Sequence, residues 1–129
     1  MFADGFAVQG CDGPLPQGGA WNALPGSLRL AGIRPDAWAV STRDDSIAFA
    51  EAKTWQDIAT LHTTRQLRVF RRLFEGGHGQ RCRLYIAVPR SMSSDLDRVL
   101  GRVNLLGSPQ VTRLHIPDSL LERVHDECA

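Results

Sequence analysis

The 129-residue chain has one lysine, three cysteines and no long apolar run. The lysine is Lys53, and all other basic side chains are arginine. The odd, scattered set of cysteines has no CxxC spacing, which argues against a disulfide framework and favours a reducing, cytoplasmic setting. No apolar stretch approaches the ~20 residues that a membrane span needs, and we see no secretory signal. We therefore expect no membrane partner.

Several common site patterns are also missing. The sequence has no P-loop, no dinucleotide-binding glycine fingerprint and no Ser/His/Asp order typical of hydrolases. His78, His115 and His125 lack metal-ligand spacing. A hydrophobic content of 43% and a charged content of 22% exclude wholesale disorder and a fibrous protein. These absences leave an ordinary globular domain, and any catalytic or binding site must be built from other side chains.

Charge is unevenly distributed along the chain. Residues 1–61 carry 4 basic and 7 acidic side chains, residues 62–103 carry 9 and 3, and residues 104–129 carry 2 and 4. The central part is therefore a basic block, although the net charge is only +1. Arg65, Arg68, Arg71 and Arg72 lie in this block on a predicted helix. Such a run is more often a solvated helix face, but the block makes contact with nucleic-acid phosphates an equal alternative.

The order of predicted elements indicates an α/β protein with one domain. Residues 1–27 are rich in glycine and proline and are predicted to be irregular, with at most one short element near residues 6–8. The domain then covers residues 28–129. Its predicted elements are a strand at 28–33, a hairpin at 36–53, a helix at 63–74, a strand at 83–88, a helix capped by Ser93 or Ser94, a strand at 111–116 and a helix at 119–127. This order predicts a mixed sheet flanked by helices.

The hairpin at 36–53 alternates strictly between two kinds of side chain. If Asp44 and Asp45 are the central turn residues, Asp36 lies opposite Lys53 and Trp38 opposite Glu51. The other face then carries only alanines, namely Ala37, Ala39, Ala48, Ala50 and Ala52. Such a shallow surface lets a helix or a second subunit approach closely. We expect any homodimer to form through this alanine face or through the terminal helix.

Asp36, Glu51 and Lys53 should converge at the open end of this hairpin. Two neighbouring carboxylates repel each other and favour a shared divalent cation. A site with only oxygen ligands points to Mg²⁺ or Mn²⁺ rather than to zinc. A lysine beside such a cation can hold a water for attack on phosphorus. The alternative is a cross-strand charge cluster that contributes little to stability.

This pattern resembles the PD-(D/E)XK nuclease superfamily. Pro35-Asp36 is similar to the first half of its motif and Glu51-Ala52-Lys53 to the second, and the resemblance covers about residues 28–116. It implies a restriction-endonuclease-like fold. It also implies that Asp36, Glu51 and the Ala52 carbonyl bind Mg²⁺ or Mn²⁺ and that Lys53 positions the nucleophilic water.

The helix after the motif extends the resemblance and also departs from it. Some branches carry Gln-x-x-x-Tyr on this helix, and Gln66 with Phe70 is similar to it, with phenylalanine at the tyrosine position. Many members supply a further acidic residue before the first strand, whereas only Asp4 and Asp12 precede Asp36 here. The site then uses two acids, or Asp12 folds back towards it, or the helix that carries the extra acid has been lost.

Three functions follow from these observations. The first is a metal-dependent nuclease that hydrolyses phosphodiester bonds, expected to act on DNA and to be directed by structure rather than by sequence, for example in repair or recombination. The second is a catalytically inactive module of the same fold that binds nucleic acid or a protein partner in a larger complex. The third, which is weaker, is a metal-independent RNA-processing or immunity-type protein. Divalent-metal binding separates the first two functions.

Overall fold

A computed structural model of the chain describes residues 6–11, 35–41, 43–44, 46–76 and 82–119. The described strands are β1 (Phe6–Cys11), β2 (Ala37–Ser41), β3 (Ile47–Ala52), β4 (Cys82–Pro89) and β5 (Val111–Ile116). The helices that lie wholly within the described residues are α1 (Leu61–Glu75) and α2 (Ser93–Arg102), and a 3₁₀ turn (Arg90–Met92) precedes α2.

The described strands form one mixed sheet in the order β1-β2-β3-β4-β5. The pairs β1–β2 and β2–β3 are antiparallel, and β3–β4 and β4–β5 are parallel. The helices α1 and α2 connect the parallel strands, as such connections require. The predicted α/β class with a mixed sheet is therefore confirmed.

The core lies between one face of the sheet and both helices. The buried face of α1 carries Leu67, Phe70 and Phe74, and that of α2 carries Leu96, Val99 and Leu100, at helical spacing. Both sets pack against buried strand residues, namely Trp38, Phe49, Leu84, Ile86 and Val88. Trp38 is thus a core residue. This packing fixes α1 above the end of β3.

The hairpin keeps its predicted faces but not its predicted register. Trp38 lies opposite Phe49, and Val40 opposite Ile47, so the pairing is displaced by two residues from the prediction. The turn is centred on Arg43 and Asp44, whose backbone N–H groups donate to the Ser41 hydroxyl at 3.0 and 3.1 Å. A shift of two residues leaves every side chain on its own face.

Most other elements lie close to their predicted positions. The predicted strand near residues 6–8 is part of β1, which joins the sheet, so residues 1–27 are not uniformly irregular. The predicted cap at Ser93 or Ser94 is wrong, because Met92 caps α2 and Ser93 is already helical. The strand at 28–33, the helix beyond residue 119, and Asp4 and Asp12 lie outside the described residues, so the boundary between residues 27 and 28 stays a prediction.

The centre of the alanine face is covered within the single chain. Ala39 and Ala48 are fully buried and pack with the buried Tyr85 on β4. Ala50 is half-buried and Ala52, at the end of β3, is exposed. Because its centre is closed, this face does not need a second subunit to bury it.

Candidate metal and phosphoryl-transfer site

The candidate site lies where β3 ends and β2 begins. Because β2 and β3 are antiparallel, continuation of their register places Asp36 opposite Glu51. The Asp36 Oδ2 atom accepts a hydrogen bond of 2.7 Å from the Ala52 backbone N–H. This bond ties the start of one strand to the end of the other. The two carboxylates are therefore brought together, although Asp36 faces Glu51 and not Lys53 as predicted.

Lys53 is held by the neighbouring strand and by α1. Its backbone N–H donates to the Ala87 carbonyl of β4 at 2.9 Å. Its Nζ atom donates to the Gln66 Oε1 atom at 2.6 Å and lies 3.8 Å from the Glu51 Oε2 atom. The ammonium group therefore bridges the end of β3 and the helix above it.

Hydrogen bonds fix where α1 begins, and the position of the helix places Gln66 at the site. Thr60 caps the helix, and its hydroxyl accepts from the Thr63 N–H at 3.2 Å. The buried Thr63 hydroxyl donates to the Asp57 carbonyl at 2.6 Å, which fixes the preceding turn. Gln66 shares this buried helix face. The helix itself begins at Leu61, after this turn.

Burial and repulsion make Glu51 unusual. The residue is 3% exposed. Burial, followed by the negative charge of Asp36, raises the pKa of its carboxyl group from 4.5 to about 8, while Lys53 opposes the rise. Its Oε1 atom is buried and has no hydrogen-bond partner among the described residues. A buried carboxylate oxygen without a partner is costly unless a cation or proton satisfies it.

The donor set fits a small divalent cation in part. Two adjacent carboxylates, one of them with an unpartnered buried oxygen, are ligands of the kind that Mg²⁺ takes. The described residues hold no group of three or more His, Cys, Asp and Glu side chains that could bind a metal. Further ligands would therefore be carbonyl groups, such as that of Ala52, and water. Mg²⁺ commonly keeps several waters when one or two carboxylates bind it.

The predicted arginines lie on the outer side of α1. Arg65, Arg68 and Arg72 are exposed, while Arg71 is half-buried and donates to Glu75 at 3.0 Å. Arg71 therefore differs from the other three arginines, because Glu75, one turn away, neutralises its charge. The structure brings Asp36, Glu51, Lys53 and Gln66 together, whereas the arginines form a separate surface.

Two features near the site were missed by sequence reasoning. Trp55, two residues after Lys53, is 53% exposed. His62 is exposed on α1, one turn before Gln66. The spacing of Thr54 and Asp57 was the sequence signal that could have predicted this exposure. The Thr54 hydroxyl donates to the Asp57 Oδ2 atom at 3.0 Å, and the segment forms turns rather than a helix. A turn exposes side chains that a packed helix would bury.

Comparisons with known proteins give no family for the chain: no protein-family model, curated protein or solved structure matches it. The described helices include none with the length and apolar character to cross a membrane.

Proposed function

We propose that the chain is a divalent-metal-dependent nuclease that hydrolyses phosphodiester bonds, with DNA as the expected substrate. The observation that carries this proposal is the meeting of Asp36, Glu51 and Lys53 at the end of β3, with one buried Glu51 oxygen that has no hydrogen-bond partner among the described residues. The sequence resemblance to PD-(D/E)XK nucleases supports it. Carboxylates beside a lysine are the residue types that metal-assisted phosphoryl transfer needs.

Each residue has a defined part in this proposal. Asp36, Glu51 and the Ala52 carbonyl would hold Mg²⁺ or Mn²⁺, which supplies Lewis acidity at the scissile phosphate. Lys53 would hold the attacking water through its Nζ atom and offset the negative charge that develops as the phosphorus becomes pentacoordinate. Gln66 orients the Lys53 ammonium through its 2.6 Å hydrogen bond. Gln66 is thus a positioning residue.

A panel of labelled DNA tests this proposal. Linear duplex, single-stranded, flapped and four-way substrates are incubated with Mg²⁺, with Mn²⁺ or with excess chelator. Wild-type protein is compared with Lys53→Met, which keeps the buried aliphatic stem and removes the charge, and with Arg98→Met. Arg98 lies on α2 and pairs with Asp95, so its loss serves as a matched control for charge.

The proposal predicts metal-dependent cleavage that Lys53→Met abolishes and Arg98→Met retains, with thermal melting confirming that each variant is folded. Cleavage that survives Lys53→Met would contradict it. Cleavage in excess chelator would instead indicate the metal-independent alternative.

A second candidate is a binding module of the same fold without turnover. It is favoured by the burial of the site, since Glu51, Lys53 and Gln66 are each less than a tenth exposed. Such burial restricts the access of a phosphate. A folded wild-type protein that binds the DNA panel but neither binds Mn²⁺ nor cleaves would support this candidate.

A further inference from the structure

Trp55 is an exposed indole beside the candidate site. It lies in the turns between β3 and α1, and 53% of it is exposed. It follows Lys53 by two positions, so their Cα atoms are at most ~7 Å apart. Tryptophan is usually well buried, and an indole in water forgoes a large burial free energy. A large aromatic surface in this place suits a ligand that passes the site.

The helix α1 follows this turn along the chain, and its exposed face carries a basic stripe. Leu61, Arg65, Arg68 and Arg72 are all exposed and follow the spacing i, i+4, i+7 and i+11, which places them on one side of the helix. No acidic group pairs with Arg65, Arg68 or Arg72 in the part of the chain that the structure describes, whereas Arg71 pairs with Glu75. We call Trp55, Arg65, Arg68 and Arg72 the Trp–Arg surface.

Charge and π-surface together define the ligand that fits this surface. Three uncompensated guanidinium groups favour a polyanion, and an exposed indole favours a planar ring. Proteins that bind single-stranded nucleic acid combine these two features, since bases stack on aromatic side chains while basic groups follow the phosphates. In a duplex the faces of the internal bases are already stacked, so an indole stacks most readily on a base of an unpaired strand.

We propose that the Trp–Arg surface binds an unpaired nucleic-acid strand, with a base stacked on Trp55 and the backbone along Arg65, Arg68 and Arg72. The helical rise from Arg65 to Arg72 is about 10 Å, roughly the length of three nucleotides. The stacked base lies next to the site of Lys53. The preferred substrate is therefore a single strand or an unpaired flap. Only the place of cleavage rests on the proposed function; the binding does not.

Binding in excess chelator tests this inference without cleavage. A fluorescein-labelled 12-nucleotide DNA strand, the RNA of the same sequence and the blunt DNA duplex are titrated by anisotropy, and quenching of tryptophan fluorescence is followed with unlabelled strands. The variants are Trp55→Ala, Trp55→Phe, which keeps a ring, and Leu106→Ala. Leu106 is 54% exposed in the segment after α2 and is the control for the loss of exposed apolar surface.

We expect the wild type to bind a strand at least tenfold more tightly than the duplex, with quenching of its fluorescence. Trp55→Ala should weaken binding to the strand about tenfold and leave the duplex unchanged. Trp55→Phe should retain most of the affinity but lower the quenching, because Trp55 supplies the indole on which the base stacks, whereas the buried Trp38 cannot. Leu106→Ala should bind as the wild type does.

Equal affinity for strand and duplex, or unchanged strand binding in Trp55→Ala, would overturn the inference. Sedimentation with anionic phosphatidylserine vesicles, but no binding to any nucleic acid, would also overturn it and assign the surface to lipid. These results are independent of the nuclease proposal. Strand binding that requires Trp55, in a protein that never cleaves, would sustain the inference while the nuclease proposal failed.

Discussion

Glu51 is the residue on which the chemistry of the site depends. It is the most buried of the four site residues, and its pKa is raised to about 8 by burial and by Asp36. In the protein without a metal, a proton on Glu51 relieves the repulsion between the two carboxylates. A divalent cation relieves it in the same way, so protons and metal should compete for this carboxylate.

The raised pKa of Glu51 predicts how stability changes with pH. Because the folded state holds this proton up to about pH 8 and the unfolded chain releases it near 4.5, the contribution to stability is full below pH 4.5. It is lost as pH rises through 8. We expect the melting temperature of the metal-free protein to fall between pH 5 and about 8.5, and Glu51→Gln to flatten this part of the profile. Scanning calorimetry across this range measures both.

Addition of Mn²⁺ extends this prediction. The cation should raise the melting temperature of the wild type more at pH 8 than at pH 6, because the proton must leave for the metal to bind. Glu51→Gln, which removes one negative ligand, should show little metal response at either pH. A Mn²⁺ response that Glu51→Gln retains would place the metal elsewhere.

Gln66 joins the candidate site to α1, and its loss should lower the stability of the fold. Its Oε1 atom accepts from the Lys53 Nζ atom at 2.6 Å in a buried setting. Gln66→Leu should lower the free energy of unfolding by about 1–3 kcal/mol, because a buried lysine loses an acceptor. Urea denaturation measures this change. Val69→Ala, at a half-buried position on the same helix, is a comparison that leaves the lysine paired.

At the scale of elements, α1 carries three groups of residues on different sides. Its apolar residues pack in the core, Gln66 accepts a hydrogen bond from Lys53, and its arginines lie on the outer side. Phe70 belongs to the first group; it is fully buried and lies 5.3 Å from Phe49 of β3, centroid to centroid. The ring contact joins the helix to the strand that carries Glu51.

Loss of this contact should affect both stability and the site. Phe70→Ala should cost about 3–5 kcal/mol of unfolding free energy, the range found when a large buried aromatic is removed. Phe70→Leu should cost less because it leaves a smaller cavity. If Phe70→Ala changes the urea midpoint no more than the exposed Leu114→Ala does, Phe70 is not part of the packed core.

Periodicity predicted these elements well because burial acts on whole faces. The helical stripe predicted residues 63–74 and the structure has Leu61–Glu75, while β5 spans Val111–Ile116 as expected. Strict alternation likewise assigned the two faces of the hairpin. It could not assign the register, because alternation is unchanged by a shift of two residues. The Ser41 hydroxyl and the Asp44 carboxylate fix that register through bonds within the turn.

The candidate site was predictable for a related reason. One face of the hairpin carries Asp36, Glu51 and Lys53. A register error of two residues changed which of them lie opposite each other but kept all three on that face. Their depth of burial was not predictable, since it depends on how α1 lies over the end of β3. The exposure of Trp55 was missed because it depends on a turn whose hydrogen bonds join Thr54, Asp57 and Thr60.

At the scale of the whole molecule, the fold keeps the candidate site apart from the exposed basic residues. The carboxylates, Lys53 and Gln66 lie between sheet and helix, whereas Arg65, Arg68 and Arg72 face outwards on α1. The chain has a net charge of only +1, so the proposed binding of nucleic acid depends on this local basic surface. Each arginine that contacts a phosphate releases a counterion, and affinity should therefore fall steeply with salt.

This dependence gives the last prediction. Arg68→Gln should weaken binding to DNA and reduce the slope of log K against log salt by about 0.7 for a single strand, because one phosphate contact is lost. Arg98→Gln removes the same charge from α2, where Asp95 pairs with it, and should leave the slope unchanged. Arg71→Gln should resemble this control, since Glu75 already neutralises Arg71. Anisotropy titrations from 50 to about 200 mM salt measure the slopes. Equal slopes for Arg68→Gln and Arg98→Gln would mean that charge acts only through the molecule as a whole, and that the outer face of α1 is an ordinary solvated surface.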